Sequence, residues 1–132
     1  MLHWIVTADL RGDGQLSWCG LTAPKPGDNL AIGISPAGQE LWNYPLPQGG
    51  QPRPIEPIIA GRITREGPGQ WILPGPDGSI HFLAADGKPL DKFNYGAPLQ
   101  GLATVEIDGQ PVLVVSSDSG LEALKVEQGA AK

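Results

Sequence analysis

Residues with the chemistry to catalyse are few in this chain. One cysteine, Cys19, and two histidines, His3 and His81, stand among 132 residues that include 14 Asp and Glu. A cysteine or serine nucleophile needs a histidine to take its proton and a carboxylate to orient that histidine. Cys19 sits in the apolar stretch Leu16-Ser17-Trp18-Cys19, and His3 and His81 fall in segments far apart. That context predicts a small buried side chain, not a reactive thiolate. Two His with a single Cys and no neighbouring acidic cluster do not compose a zinc site. Glycoside hydrolysis wants two carboxylates facing each other across a cleft. Most of the acids here stand at Asp-Gly turns or in hydrophilic loops, and no spacing pairs them. No catalytic site is expected.

Composition narrows the partners. The chain carries a net charge of −5 with 17% charged residues and no Lys/Arg cluster, a balance that repels phosphate backbones and excludes nucleic acid. No apolar run approaches the ~20 residues that cross a bilayer. The start, MLHWIVTADL, lacks the basic region and long apolar core of a signal peptide. Export would require a signal upstream of this sequence. The length suits one domain, taken here as residues 1–132.

The elements that must position any site read as strands. Gly (19) and Pro (14) make up a quarter of the chain, and they cluster between alternating apolar runs, so they mark turns. Strand-like segments include Trp4–Thr7, Ile58–Ala60, Gln70–Leu73, Ile80–Leu83, Leu102–Ile107 and Pro111–Val115. Asp77-Gly78, Asp86-Gly87 and Asp108-Gly109 are predicted as two-residue hairpin turns, because Asp-Gly readily supplies positive φ. The expected class is all-β and antiparallel.

An internal repeat organises these strands. At a constant offset of 49, Ala31 meets Ile80, Ile34 meets Leu83, Gly38 meets Gly87, Leu41 meets Leu90 and Tyr44 meets Phe93. At an offset of 41, Asp77 meets Asp118, Ile80 meets Leu121 and Leu83 meets Leu124. Gly14-Gln15, Gly69-Gln70 and Gly109-Gln110 each open an apolar strand. A repeat of this length made only of short strands points to propeller blades. Blade one (1–50) is expected to hold strands Trp4–Leu10, Gln15–Gly20, Leu30–Ile34 and Glu40–Leu46. Blade two (51–97) holds Pro57–Ile63, Gln70–Leu73, Ile80–Ala84 and Leu90–Tyr95. Blade three (98–127) holds Leu102–Ile107, Pro111–Ser116 and Leu121–Val126 and lacks a fourth strand, with 128–132 as a tail. Trp18 and Trp71 occupy one alternating face of equivalent strands, as core residues do. His81 aligns with Glu122, which predicts polar surface.

The stretch SPAGQELWNYPLP resembles the end of a quinoprotein (PQQ)-type propeller repeat, whose signature is Gly, three residues, then Trp; Gly38 and Trp42 hold those positions. GSIHFLAADGKPLDKF resembles the same repeat with Asp91 in the Trp position, and GLEALKV resembles its beginning. The resemblance implies that Gly38 and Trp42 dock neighbouring blades. It also implies a place in an exported bacterial protein, periplasmic or extracellular. ADLRGDGQ resembles, more faintly, the Asp-rich turn of FG-GAP or integrin-like repeats, in which Asp9 and Asp13 would bind calcium. Arg11 stands where that pattern wants another oxygen ligand and opposes the ion by its charge, so a plain turn is the better expectation and no cofactor is needed.

Three blades do not close a propeller, which typically takes 4–8. Exposed blade faces and edges invite association: with missing blades of a longer protein, or with a second copy through the unpaired edge at Leu121–Val126. Collapse of the three sheets into a compact sandwich is the remaining route. The Pro-rich connector PLPQGGQPRPIEP suits rigid linkage or partner docking. The expectation is therefore a non-catalytic protein-interaction or scaffolding module. The alternatives are a fragment of a quinoprotein-type oxidoreductase and a calcium-dependent adhesion module.

Overall fold

The computed structural model describes residues 2–51, 55–63 and 67–125, so part of the Pro-rich connector, Val126 and the tail lie outside the described residues. Eleven strands form three antiparallel sheets of four, four and three strands, with no helix among the described residues. Sheet one holds β1 (Leu2–Ala8), β2 (Ser17–Thr22), β3 (Asn29–Ile34) and β4 (Glu40–Leu46). Sheet two holds β5 (Ile59–Gly61), β6 (Gln70–Pro74), β7 (Ser79–Leu83) and β8 (Pro89–Asn94). Sheet three holds β9 (Leu99–Ile107), β10 (Gln110–Ser117) and β11 (Gly120–Leu124). Strands follow one another in space as in sequence, so each sheet is a meander that is open at both edges.

The turns explain the meanders. Asp108 (φ 53°) and Gly109 (φ 77°) both take positive φ, and Ile107 pairs with Gln110 across them, which is the expected two-residue hairpin. The other two Asp-Gly steps differ. Gly78 and Gly87 take positive φ, but Asp108 is the one described non-glycine residue that does. Asp77 and Asp86 instead use Oδ1 to accept the amide two residues on, from Ser79 and Lys88 (both 3.1 Å). The chain closes through a longer loop in which the Gly87 amide donates to Ala84 O (2.9 Å) and the Ala84 amide to Lys88 O (2.9 Å). Leu16, expected within a strand, precedes β2 and is 56% exposed.

Period-two alternation sends the residues of each strand to opposite faces, and the sheets stack through those faces. Cys19, Ala31 and Leu46 of sheet one pack against Trp71, Leu73 and Leu83 of sheet two. The opposite face of sheet two, Ile72, Ile80 and Phe82, packs against Leu99, Leu102, Leu113 and Val115 of sheet three. Sheet two is thus the middle layer, and every residue of β6 and β7 is buried. The first strand of the middle sheet, β5, touches both β1 and β9. At Gly61 a Cβ would collide with the side chain of Thr104, so only glycine permits that approach. The repeat holds in three dimensions: β3, β7 and β11 are the third strands of their sheets, and β7 and β11 coincide over their whole length at the offset of 41.

Candidate functional site

The turn after β1 carries Asp9 and Asp13. Asp9 Oδ1 accepts the amides of Gly12 (2.8 Å) and Asp13 (3.1 Å), and Oδ2 accepts that of Gly14 (2.9 Å). Asp13 Oδ1 accepts the Gln15 amide (2.9 Å). A carboxylate offers about four lone-pair directions, so most of Asp9 is committed to backbone donors. Its arrangement shapes a loop. Among the described residues no three His, Cys, Asp or Glu side chains come close enough to hold a metal ion. Beside this turn an open cleft of about 340 Å³, lined by Asp9, Arg11 and Arg62 among others, separates sheets one and two.

Trp42 lies on β4 opposite Gly33 of β3. A Cβ at Gly33 would collide with its indole, and so would a Cβ at Gly87, in the β7–β8 turn of sheet two. The ring is therefore held between a glycine of its own sheet and a turn glycine of the next. Gly38 takes the same kind of turn in sheet one: its φ is 85°, as at Gly87, and its amide donates to Ser35 O (2.8 Å). Nothing lies within 4 Å of the position a Cβ on Gly38 would take. The structure does not bring Gly38 against Trp42. Asp91, in the position equivalent to Trp42, is exposed on β8.

A buried polar chain joins sheets one and two, and it escaped the sequence reading. His81 is 2% exposed, not surface; its strand lies in the middle layer, where both faces are covered. Tyr44 Oη lies 2.9 Å from His81 Nδ1, and Ser79 Oγ lies 2.8 Å from His81 Nε2 and 2.5 Å from Asp77 Oδ1. An ionised Asp77 can only accept, so Ser79 donates to it. Ser79 then accepts from Nε2–H, and Nδ1 accepts the Tyr44 hydroxyl proton. The hydrogen bond from Ser79 holds the Asp77 carboxyl below its ordinary range. Burial, helped by the charge of Lys92 and opposed by Asp77, pushes His81 below its ordinary value and favours the neutral ring. In a hydrolytic triad the histidine stands between serine and carboxylate. Here the serine stands in the middle and gives its proton to Asp77, so the histidine does not activate it. Cys19 is fully buried, and desolvation pushes its thiol up to about 12, which removes it as a nucleophile at neutral pH.

The largest feature without a covering element is apolar. Ile5 pairs through Gly20 to Ile32, Trp18 pairs with Ile34, and Leu30 pairs with Thr22. These residues alternate with the ones packed on sheet two, so they form the opposite face of sheet one. Leu2 and Ile34 close over Gly20, where a Cβ would come within 2.6 Å and 3.0 Å of their Cδ1 atoms. Leu2 and Ile5 are 45% and 44% exposed, and Trp18, Leu30, Ile32 and Ile34 are half-buried. No described strand packs on this face, and for that reason Trp18 is not the core residue its equivalence to Trp71 predicts.

Neither a scan against protein-family models nor a search of curated proteins finds a match for this chain.

Proposed function

We propose that this chain is a non-catalytic protein-interaction or scaffolding module built from propeller-type repeats. The observation that carries the reading is the outer face of sheet one, where Leu2, Ile5, Trp18, Leu30, Ile32 and Ile34 make a contiguous apolar surface that no described strand covers. Scattered exposed apolar residues are ordinary, but six on neighbouring strands of one face, bordered by Glu40 and Asn43 of β4, mark an interaction site. Three things support the repeat reading: face-to-face stacking of the sheets, contact of β5 with both neighbouring first strands, and the Trp42 indole held against a turn of the next repeat. Two groups support the non-catalytic reading: desolvation raises the pKa of the one thiol, and the buried serine donates to a carboxylate.

A photo-crosslinking amino acid placed at Ile5 in cells tests the proposal, with the same probe at exposed Lys88 as the control. A discrete adduct from position 5 and none from position 88 is expected. No adduct at position 5 overturns the reading.

A further inference from the structure

We propose that the partner covering the outer face of sheet one is a second copy of this chain, which applies the outer face of its own sheet three, so that two reciprocal contacts close a pair. The inference rests on the interaction-module reading and adds the partner to it.

The first argument is that this molecule already contains the contact in question. Sheet one covers the face of sheet two on which Trp71 pairs with Leu83 and Leu73 with His81. On the outer face of sheet one, Trp18 pairs with Ile34 and Gly20 with Ile32. Ile34 and Ile32 are the repeat equivalents, 49 positions earlier, of Leu83 and His81. The uncovered face is thus the counterpart of one that a β-sheet covers. The residue that is polar in the covered copy is apolar in the uncovered one.

The second argument is that the chain also carries a face of the covering kind on which no described strand packs. On the outer side of sheet three, Val105 pairs with Val112, Val114 with Ala103 and Ala123, and Ser116 with Gly101 and Leu121. The offset of 41 maps Leu121 and Ala123 onto Ile80 and Phe82, the residues with which sheet two meets the next sheet. Ala103, Val105, Leu121 and Ala123 are exposed, Val112 beside them is buried, and the charges Asp108 and Lys125 stand at one end of this set. Its central side chains are small, as are Cys19 and Ala31 at the centre of the existing cover, which Leu46, Trp42 and Tyr44 complete. A hollow of about 400 Å³ at that end, lined by Ile107, Val112 and Ala123 together with Asp108, Gln110 and Lys125, gives the surface relief and a polar rim.

The third argument is area. The three-stranded face of sheet three limits the contact to roughly 15 by 20 Å from strand spacing and rise. One contact therefore buries about 600 Å² over both partners, and the reciprocal pair about 1,200 Å², the lower end of the range for a specific, stable interface. A head-to-tail contact either closes or runs on as a filament. Two copies supply six sheets, within the range that closes a propeller.

Sedimentation at tens of micromolar tests this, since the chain mass is 13.9 kDa. A species of twice that mass is expected. Ile5→Lys and Val105→Glu, each checked for an unchanged circular dichroism spectrum, should weaken association at least about 100-fold by burying a charge. Mixing the two variants should restore a two-chain species. One contact is then intact and the other sets Lys against Glu. A monomeric wild type overturns the inference, while an Ile5 adduct with a different protein would still sustain the interaction reading. A pair that survives Val105→Glu, or variants that fail to rescue each other, overturns the head-to-tail arrangement, and an assembly larger than two copies overturns closure.

Discussion

The histidine between Ser79 and Tyr44 bonds one sheet to another, and as a neutral ring it donates from Nε2 and accepts at Nδ1. Protonation makes Nδ1 a donor, so the Tyr44 hydroxyl must turn its own proton away and accept, while the ring bears a charge that its burial disfavours. Its folded value is lowered from the ordinary 6.5, so below pH 6.5 the unfolded chain takes up a proton that the folded chain resists. This contribution to stability is complete above pH 6.5 and is lost as pH falls through the folded value. Thermal unfolding should therefore show a melting temperature that drops below pH 6.5. His81→Gln, which keeps hydrogen-bonding capacity without titrating there, should flatten that part of the profile. An unchanged slope in the variant would remove His81 from the account. The histidine was hard to read because aligning it with Glu122 gave one polar neighbour, while Ile32, its equivalent in the first repeat, gave the opposite sign. At the first turn the sequence was more legible. The Asp9 carboxylate serves three amides, so Asp9→Ala should cost about 1–2 kcal/mol. Millimolar Ca²⁺, alone or with PQQ, should leave the wild-type melting temperature where it is. A rise with Ca²⁺ alone would restore the adhesion alternative, and a rise requiring the quinone would restore the oxidoreductase one.

Among the elements, the eleven strands were legible because alternation and Gly/Pro punctuation agree, and the third strands of the repeats fell where the offsets put them. The turn types were less legible, since Asp-Gly can serve either as a two-residue loop or as the end of a longer one. Side-chain bonds from Asp77 and Asp86 to the following backbone decide for the second. The paired turns at Gly38 and Gly87 allow a controlled comparison, because both glycines have φ of 85° and only one lies against a ring. Alanine at either position pays the left-handed penalty of about 1–2 kcal/mol. Alanine at Gly87 must also displace the Trp42 indole, and overpacking of that kind costs about 1–3 kcal/mol more. Denaturant titrations of Gly38→Ala and Gly87→Ala should show the second to be the less stable. The difference should vanish in a Trp42→Ala background. Equal losses in the two single variants would mean that the ring does not hold the sheets together.

At the scale of the whole molecule, neither periodicity nor spacing reveals which faces are covered. Strands β6 and β7 present apolar residues on both sides, and a sheet with two dry faces has no wet side to orient it. Position in the stack supplies the missing information: Trp71 is closed in because sheet one lies on it, and Trp18 stays half-open because no described strand lies on the outer face of sheet one. The same stacking order makes a demand on unfolding. Sheet two contributes one face to each hydrophobic cluster, so loss of either cluster uncovers it. The four tryptophans all lie in sheets one and two, whereas circular dichroism senses all three sheets. Phe82 points into the cluster shared with sheet three, and Phe82→Ala should cost about 3–5 kcal/mol. If the stack is one cooperative unit, tryptophan fluorescence and circular dichroism will move to lower denaturant together in that variant, although the deleted ring faces away from every tryptophan-bearing contact between sheets one and two. If sheet three melts by itself, the dichroism will fall first and the fluorescence midpoint will stay at its wild-type place. Coincident shifts are expected, because a middle sheet stripped of one cover exposes Ile72, Ile80 and its own hairpin to water and keeps only the core it shares with sheet one.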